Sequence, residues 1–265
     1  MRFHFFPFLL AFLLSTSLAI TAQAQSMCSA PTNPITGNPV TSCAAAGNPL
    51  NILNGNKFQR EEDMPALPGV LGLELVRYYN SGASRENSGK PIGGRGWRLS
   101  YDAELYIQPG TQTITLTQAD GTVSNFSPNL VAGKQTQWRT TTLSAGVISL
   151  QTTSQANPAN PKEPKEFQYK LTLPNKTVQT FQTYANYNQG NSGKLVQIKA
   201  ATGETVTIQR NNAGFPEKIT DPQGRSLVFN YLDAEQKKAA DRYRGIQSID
   251  TPVGRVEYTY GSSTL

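Results

Sequence analysis

Histidine is missing from everything beyond residue 4, because the sole histidine is His4. That removes Ser-His-Asp and Cys-His activation of a nucleophile, and with them the commonest neutral-pH acid–base group and metal ligand. Only carboxylate chemistry, such as a carboxylate-dependent glycosidase, stays open as an enzymatic reading. Cysteine is almost as scarce. Cys28 and Cys43 are the whole complement, and in an oxidising compartment two such residues pair. A staple closing so short a loop adds roughly 3 kcal/mol in the chain-entropy picture. Charge is sparse too, at 16% of residues. The net +6 is scattered except at Lys237-Lys238 and Arg242/Arg244. A nucleic-acid binder shows instead a basic stripe interleaved with aromatics. No nucleic-acid partner, metal or cofactor is expected.

Long apolar runs are absent but for one. Phe8 to Ile20 is apolar except at Ser15, Thr16 and Ser17, follows Arg2, and precedes the small-residue pattern Ala22-Gln23-Ala24. A positive start, a short apolar stretch and such a site describe a cleavable signal peptide over 1–24. The run is shorter than the roughly 20 residues that span a bilayer. Gln25-Ser26-Met27 before Cys28 lacks the small residues of a lipobox. A Sec-exported chain is predicted, secreted or held in the periplasm or at the cell surface, with no membrane span after cleavage.

What is plentiful is Thr, Ser, Asn, Gln and Gly, a composition suited to strands and turns. Residues 25–50 read as an irregular lead segment clipped by the two cysteines. From 51 to about 190, apolar and polar residues alternate with the period of strands. Leu71, Leu73 and Leu75 lead into Val76 to Tyr79, and Trp97 to Gln108 reads as one continuous strand. Asp120-Gly121 marks a hairpin, since its tight turn needs positive φ. Gln137 to Thr153 reads as two strands about Ala145-Gly146, and Phe167 to Tyr184 as a hairpin across Pro174-Asn175-Lys176. The fold class is therefore all-β, with antiparallel hairpins stacked into an open or curling sheet.

Residues 191–265 repeat themselves. Lys194 to Ile198 precedes Ala201-Thr202-Gly203-Glu204, and Glu217-Lys218-Ile219 precedes Asp221-Pro222-Gln223-Gly224-Arg225. A third copy runs from Ile246 through Asp250-Thr251-Pro252-Val253-Gly254-Arg255 to Tyr260. Each unit is strand, turn, strand, and a lone hairpin cannot bury its apolar face, so the units must stack. Asp221 and Asp250 bond local backbone N–H groups in this reading. Gly224 and Gly254 supply positive φ, while Arg225 and Arg255 lay their stems across neighbouring hairpins. The insertion Asp233 to Arg244 carries a capping box and predicts one short helix.

The units ending GRSLVFNY and GRVEYTY resemble YD repeats of the Rhs and teneurin-like class. Upstream, GNPLNILNGNKFQREEDMPAL, LPGVLGLELVRYYNS and GRGWRLSY resemble the N-terminal Rhs-associated domain, so that the likeness covers roughly residues 47 to 260. The resemblance implies a β-shell outside the cytoplasm, which in bacterial members encloses a C-terminal toxin delivered to competitors. The chain has two clear repeats and a weaker third, with no self-cleaving core segment and no toxin. It is expected to be a truncated or N-terminal piece, whose partner is the remaining shell or toxin polypeptide, separate or downstream.

Other groups invite a second reading. Trp97 with Tyr78, Tyr79 and Tyr101 offers a stacking surface for a cell-surface glycan, the mark of a stand-alone carbohydrate- or protein-binding module. Aromatic strands more often form cross-strand pairs. Glu61-Glu62-Asp63 reads as a solvated turn before Pro65. Gly93, Gly94 and Gly96 lack the Lys-Ser/Thr of a phosphate loop.

Overall fold

The computed structural model describes residues 45–46, 50–51, 56–81, 96–131, 134–141, 145–152, 167–184, 191–211, 214–232 and 245–260. The signal segment, Cys28 and Cys43, and the proposed helix between Asp233 and Arg244 all lie outside these residues. Within them the chain is all-β, with no α-helix.

A minimal ladder pairs β1 (Ala45–Ala46) with β2 (Leu50–Asn51). A three-stranded antiparallel sheet follows, made of β3 (Phe58–Met64), β4 (Leu75–Asn80) and β5 (Trp97–Leu99). The remaining strands share one large sheet. They are β6 (Glu104–Ile107), β7 (Ile114–Thr117), β8 (Val123–Val131), β9 (Lys134–Arg139), β10 (Val147–Thr152), β11 (Gln168–Thr172) and β12 (Val178–Thr183). After them come β13 (Ser192–Lys199), β14 (Thr205–Arg210), β15 (Pro216–Thr220), β16 (Ser226–Tyr231), β17 (Ile246–Thr251) and β18 (Gly254–Glu257).

The sheet is not simply open. β13 bonds β12 along its length, while its other edge serves two partners: residues 192–194 pair with β6, and residues 197–199 with β14. β6 to β13 thus close into an eight-stranded barrel, and β14 to β18 leave it as an arm. This corrects the open or curling sheet expected from local hairpins. Closure rests on Gly193↔Leu105 and Lys194↔Glu104, pairings nearly ninety residues apart in sequence. The eighth strand of the barrel comes from beyond residue 190.

Eight strands enclose just enough room for side chains, and this interior is filled. Register places Trp138, Ile148 and Leu171 side by side, then Tyr169, Phe181 and Leu195. All six are buried. On the arm, Ile208, Ile219 and Leu227 are paired positions, as are Phe229, Ile249 and Val256. They share one continuous core with Met64, Leu73, Leu75, Leu99 and Tyr101. The small sheet therefore caps the apolar face that the stacked hairpins cannot cover themselves.

Two local expectations fail for backbone reasons. Leu71 does not open a strand: its φ is +54°, the chain turns through 68–72, and β4 begins only at Leu75. Likewise Trp97 to Gln108 is two strands in different sheets, separated at Tyr101 with φ +69°. The other hairpins form as expected, with Gly121 and Gly146 at positive φ.

Candidate functional site

The cap meets the arm at the first repeat turn. Asp221 lies almost fully buried at the end of β15. Its Oδ1 accepts from the N–H groups of Gln223 (3.0 Å) and Arg225 (2.9 Å), and its Oδ2 from Arg225 Nε (2.7 Å). Gly224 takes φ +82°, which lets the chain return into β16. Arg225 Nη2 then reaches away from the turn and donates to Pro68 O at 2.7 Å. The arginine therefore crosses to the cap rather than lying over the next hairpin. Gln223 fits equally closely, since a Cβ on Gly69 would lie 2.9 Å from its carboxamide.

The second repeat turn keeps the Asp–Arg pair but not the partner on the cap, and its backbone donor, Val253 N–H, goes to Thr251 Oγ1 (3.2 Å) rather than to Asp250 as expected. Asp250 Oδ1 accepts from Arg255 Nε at 2.6 Å and Oδ2 from Asn230 Nδ2 at 3.0 Å, with Gly254 at φ +143°. Arg255 remains exposed. The two aspartates sit in separate ion pairs, so they form no acid–base couple.

A second clamp joins β3, β4 and the end of the arm. Arg77 holds Asp63 bidentately, at 2.6 and 2.8 Å, and Tyr258 OH donates to the same carboxylate at 2.8 Å. The guanidinium lies 5.1 Å from the Trp97 ring centroid and 5.5 Å from that of Tyr258, in the range of cation–π attraction. The bond to Asp63 raises the Arg77 pKa, so the guanidinium stays charged at any physiological pH. Asp63, read from sequence as part of a solvated turn, is thereby drawn into a contact spanning the chain.

Of the four aromatics considered for a stacking surface, the structure brings two together. Tyr79 and Trp97 lie 5.2 Å apart with planes at 49°. Tyr78 is buried with Val76 and Ala119, and burial pushes its hydroxyl up to about 12. Tyr101 belongs to the main core, where its hydroxyl accepts from Glu74 N–H at 3.2 Å. Among the described residues no cluster of acidic, histidine or cysteine side chains could hold a metal ion.

Sequence reasoning missed the charged cluster where the barrel branches. Glu104 and Lys194 are paired residues on β6 and β13, and Lys194 Nζ lies 2.9 Å from Glu104 Oε2. Arg98 Nη1 donates to Asp102 O (3.1 Å) and stands 3.9 Å from Asp102 Oδ2. Arg210 donates to Leu195 O (2.7 Å), Gly214 O (2.9 Å) and Tyr101 O (3.1 Å). A cavity of about 10 Å³ borders Asp102 and Phe229, room for one water at most. These charges are scattered over more than a hundred positions, so spacing gave no signal.

Residues 47–126 match the model of a domain of unknown function (DUF6531). The match starts at the Gly47 that opens the block likened to the Rhs-associated domain, and it ends at Phe126 in β8. DUF6531 thus takes in the capping sheet and the first barrel strands, including Glu104, Asp63 and Arg77. No curated protein matches the chain.

Burial raises the Glu104 carboxyl, but the charge and hydrogen bond of Lys194, with Arg98 and Ser192, outweigh it and hold the group below its ordinary value. A depressed folded-state pKa contributes stability above the unfolded value, about 4.3, and loses it as pH falls through the folded one. Lys194→Met is expected to cost about 3 kcal/mol at pH 7, because it strands a buried carboxylate. That deficit shrinks below pH ~4, where Glu104 protonates. Urea unfolding at the two pH values checks it, and an equal loss at both would remove the ionic role.

Proposed function

We propose that the chain is a non-catalytic structural part of an exported Rhs/YD-type shell, its capping sheet and first repeats, linked to delivery of a toxin to competing bacteria. The observation that carries this reading is the fit of cap to repeat. The Asp221–Arg225 turn is bonded to Pro68, the capping sheet covers the apolar face of stacked hairpins, and the next turn repeats the Asp–Arg pairing at Asp250 and Arg255. A cap that reads the first turn of a repeat fixes where an array starts. Further strands then add at β18, the edge strand of the large sheet. They come from the remaining shell or toxin polypeptide, separate or downstream.

Closure of the barrel favours a second reading, a stand-alone module binding a surface glycan or protein beside Tyr79 and Trp97. The mass of the native product separates the two. An antibody to residues 60–190 is expected to reveal a species far above the 28.9 kDa of this chain in its source. A product at or below that mass, with no associated polypeptide, would overturn the shell reading, and glycan arrays would then test the module.

A further inference from the structure

The capping sheet holds one acid where the chain cannot release it. Glu74 stands between Leu73 and Leu75, both wholly buried in the main core, and is itself only 7% exposed. Its N–H donates to Tyr101 Oη at 3.2 Å, which ties the start of β4 to the link leading into the barrel. Alternation along an extended chain turns the Glu74 side chain away from the two leucines, onto the face that carries Val76 and Tyr78. That face lies against Ala119 of the β7–β8 turn, and beside it Asn80 Nδ2 donates to Asp120 O at 3.2 Å. The carboxyl is therefore largely enclosed at the joint between cap and barrel. Full hydration would require Leu73 and Leu75 to leave the core.

No bond there compensates a charge. Among the described residues nothing donates to the Glu74 carboxylate, and no cation is ion-paired with it. The groups that face it are engaged elsewhere. On β3, exposed Arg60 bonds exposed Glu62 at 3.0 Å. On β5, Arg98 stands opposite Tyr78 but donates to Asp102 O. Asp120, in the turn, accepts from Thr122 N–H. Tyr78 and Tyr101 keep their protons through the neutral range, since burial raises both hydroxyls. A buried carboxylate without donors is costly, whereas the neutral acid is tolerated. Burial accordingly raises the Glu74 carboxyl above its ordinary value, Glu62 adds to that, and Arg60 offsets only part.

We infer that Glu74 is a pH-operated latch on the capping sheet: protonated, it lets the start of β4 close onto the core and the β7–β8 turn, and ionised, it loosens that grip. With a folded-state value above the unfolded one, about 4.3, the group adds stability that is complete below the unfolded value. That stability is lost as pH rises through the folded value. Glu104 works in the opposite sense and loses its contribution as pH falls. Between them the two acids leave the cap held most firmly in mild acid.

The test uses the full chain after signal cleavage, unfolded in urea from about pH 4 to 8. Carboxyl-carbon NMR follows the titration of Glu74 in wild type, its signal assigned by its loss in Glu74→Gln. That variant keeps the shape and removes the charge. Near pH 7 its unfolding constant is expected to be about five-fold or more below that of wild type. Near pH 4 the two should agree. The N–H groups of residues 74 and 76, bonded to Tyr101 and Ser100, report the latch itself. In wild type their exchange protection, corrected for intrinsic rates, should fall toward neutral pH relative to Ile148 in the barrel, and in Glu74→Gln it should stay level. A wild-type Glu74 that titrates at or below the ordinary glutamate value overturns the inference, even if the variant fails to fold. So does a folded variant no more stable than wild type near pH 7, or wild-type cap protection that does not change with pH. Neither outcome touches the shell reading, which the native mass decides.

Discussion

Gly72→Ala is expected to cost about 3 kcal/mol or more in urea unfolding. A Cβ at Gly72 would lie 1.8 Å from Leu67 O and 2.8 Å from Leu67 C. Backbone atoms, unlike the end of a flexible side chain, have nowhere to swing. The segment can relieve the clash only by giving up the Leu67 N–H bond to Leu73 O (2.8 Å) and the Gly72 N–H bond to Gly69 O (3.3 Å). Opening it also displaces Pro68, the acceptor of Arg225, so the damage reaches the first repeat turn. Gly203→Ala is the control. It sits at φ +111° with nothing within 4 Å, so it is expected to lose only the backbone term, roughly 1 kcal/mol. Limited proteolysis after residues 67–72 should become faster in Gly72→Ala and stay unchanged in Gly203→Ala. Equal losses for the two variants would show that the close approach carries no energy.

How much of this was legible in the sequence depends on the range of each signal. Hairpins were, because a tight turn leaves its mark on adjacent residues: Gly121, Gly146 and Gly224 stand at positive φ where turns were expected. The strand–turn–strand repeat was legible for the same reason, and β14 and β16 alternate buried and less buried residues along it. Barrel closure was not legible. The strands that close it read as ordinary hairpin members, and nothing in Gly193 or Lys194 announces that Leu105 and Glu104 lie beside them. Leu71 and Tyr101 misled because an L-residue at positive φ is uncommon, and periodicity cannot detect the exception.

The candidate site shows the same division. The bonds of Asp221 to its own turn followed from the D-x-x-G-R spacing, since donor and acceptor lie within four residues. That Arg225 would leave its turn for Pro68, or that Tyr258 would bond Asp63, did not follow, since both contacts need the cap folded onto the arm. Tyr79 and Trp97 face each other on paired strands. Tyr78 and Tyr101 were grouped with them by proximity in sequence alone. One is the neighbour of Tyr79 on the opposite face of β4, and the other lies in the link to β6.

The largest loss from a single polar side chain is expected at Arg210. Its guanidinium sits where three structures meet: the barrel wall through Leu195 O, the link from the cap through Tyr101 O, and the β14–β15 turn through Gly214 O. Burial lowers its pKa, while Asp102 and Glu104 are among the groups that favour its charge. Arg210→Met keeps the stem but leaves three carbonyls short of a donor and takes one of two nearby cations from each of Asp102 and Glu104, which keep Arg98 and Lys194. Each deficit alone is worth about 1–3 kcal/mol, and shared relaxation keeps the sum near 4. For a chain of this size the midpoint of thermal unfolding should fall by roughly 10 °C. Arg210→Lys should recover only part of that, because one ammonium cannot aim at three carbonyls in different directions. Adding Asp102→Asn to Arg210→Met should recover another part, since Asp102 Oδ1 is already buried without a hydrogen-bond partner and the carboxylate then keeps only the 3.9 Å contact with Arg98. Independent losses in the double variant would mean that the cation serves only the carbonyls. A coupled loss would mean that the branch of the sheet is held electrostatically. In that case the barrel and arm should unfold together in wild type and separately in Arg210→Met, because the strand pairing of residues 192–194 and 197–199 on one edge of β13 is short on both sides of the branch.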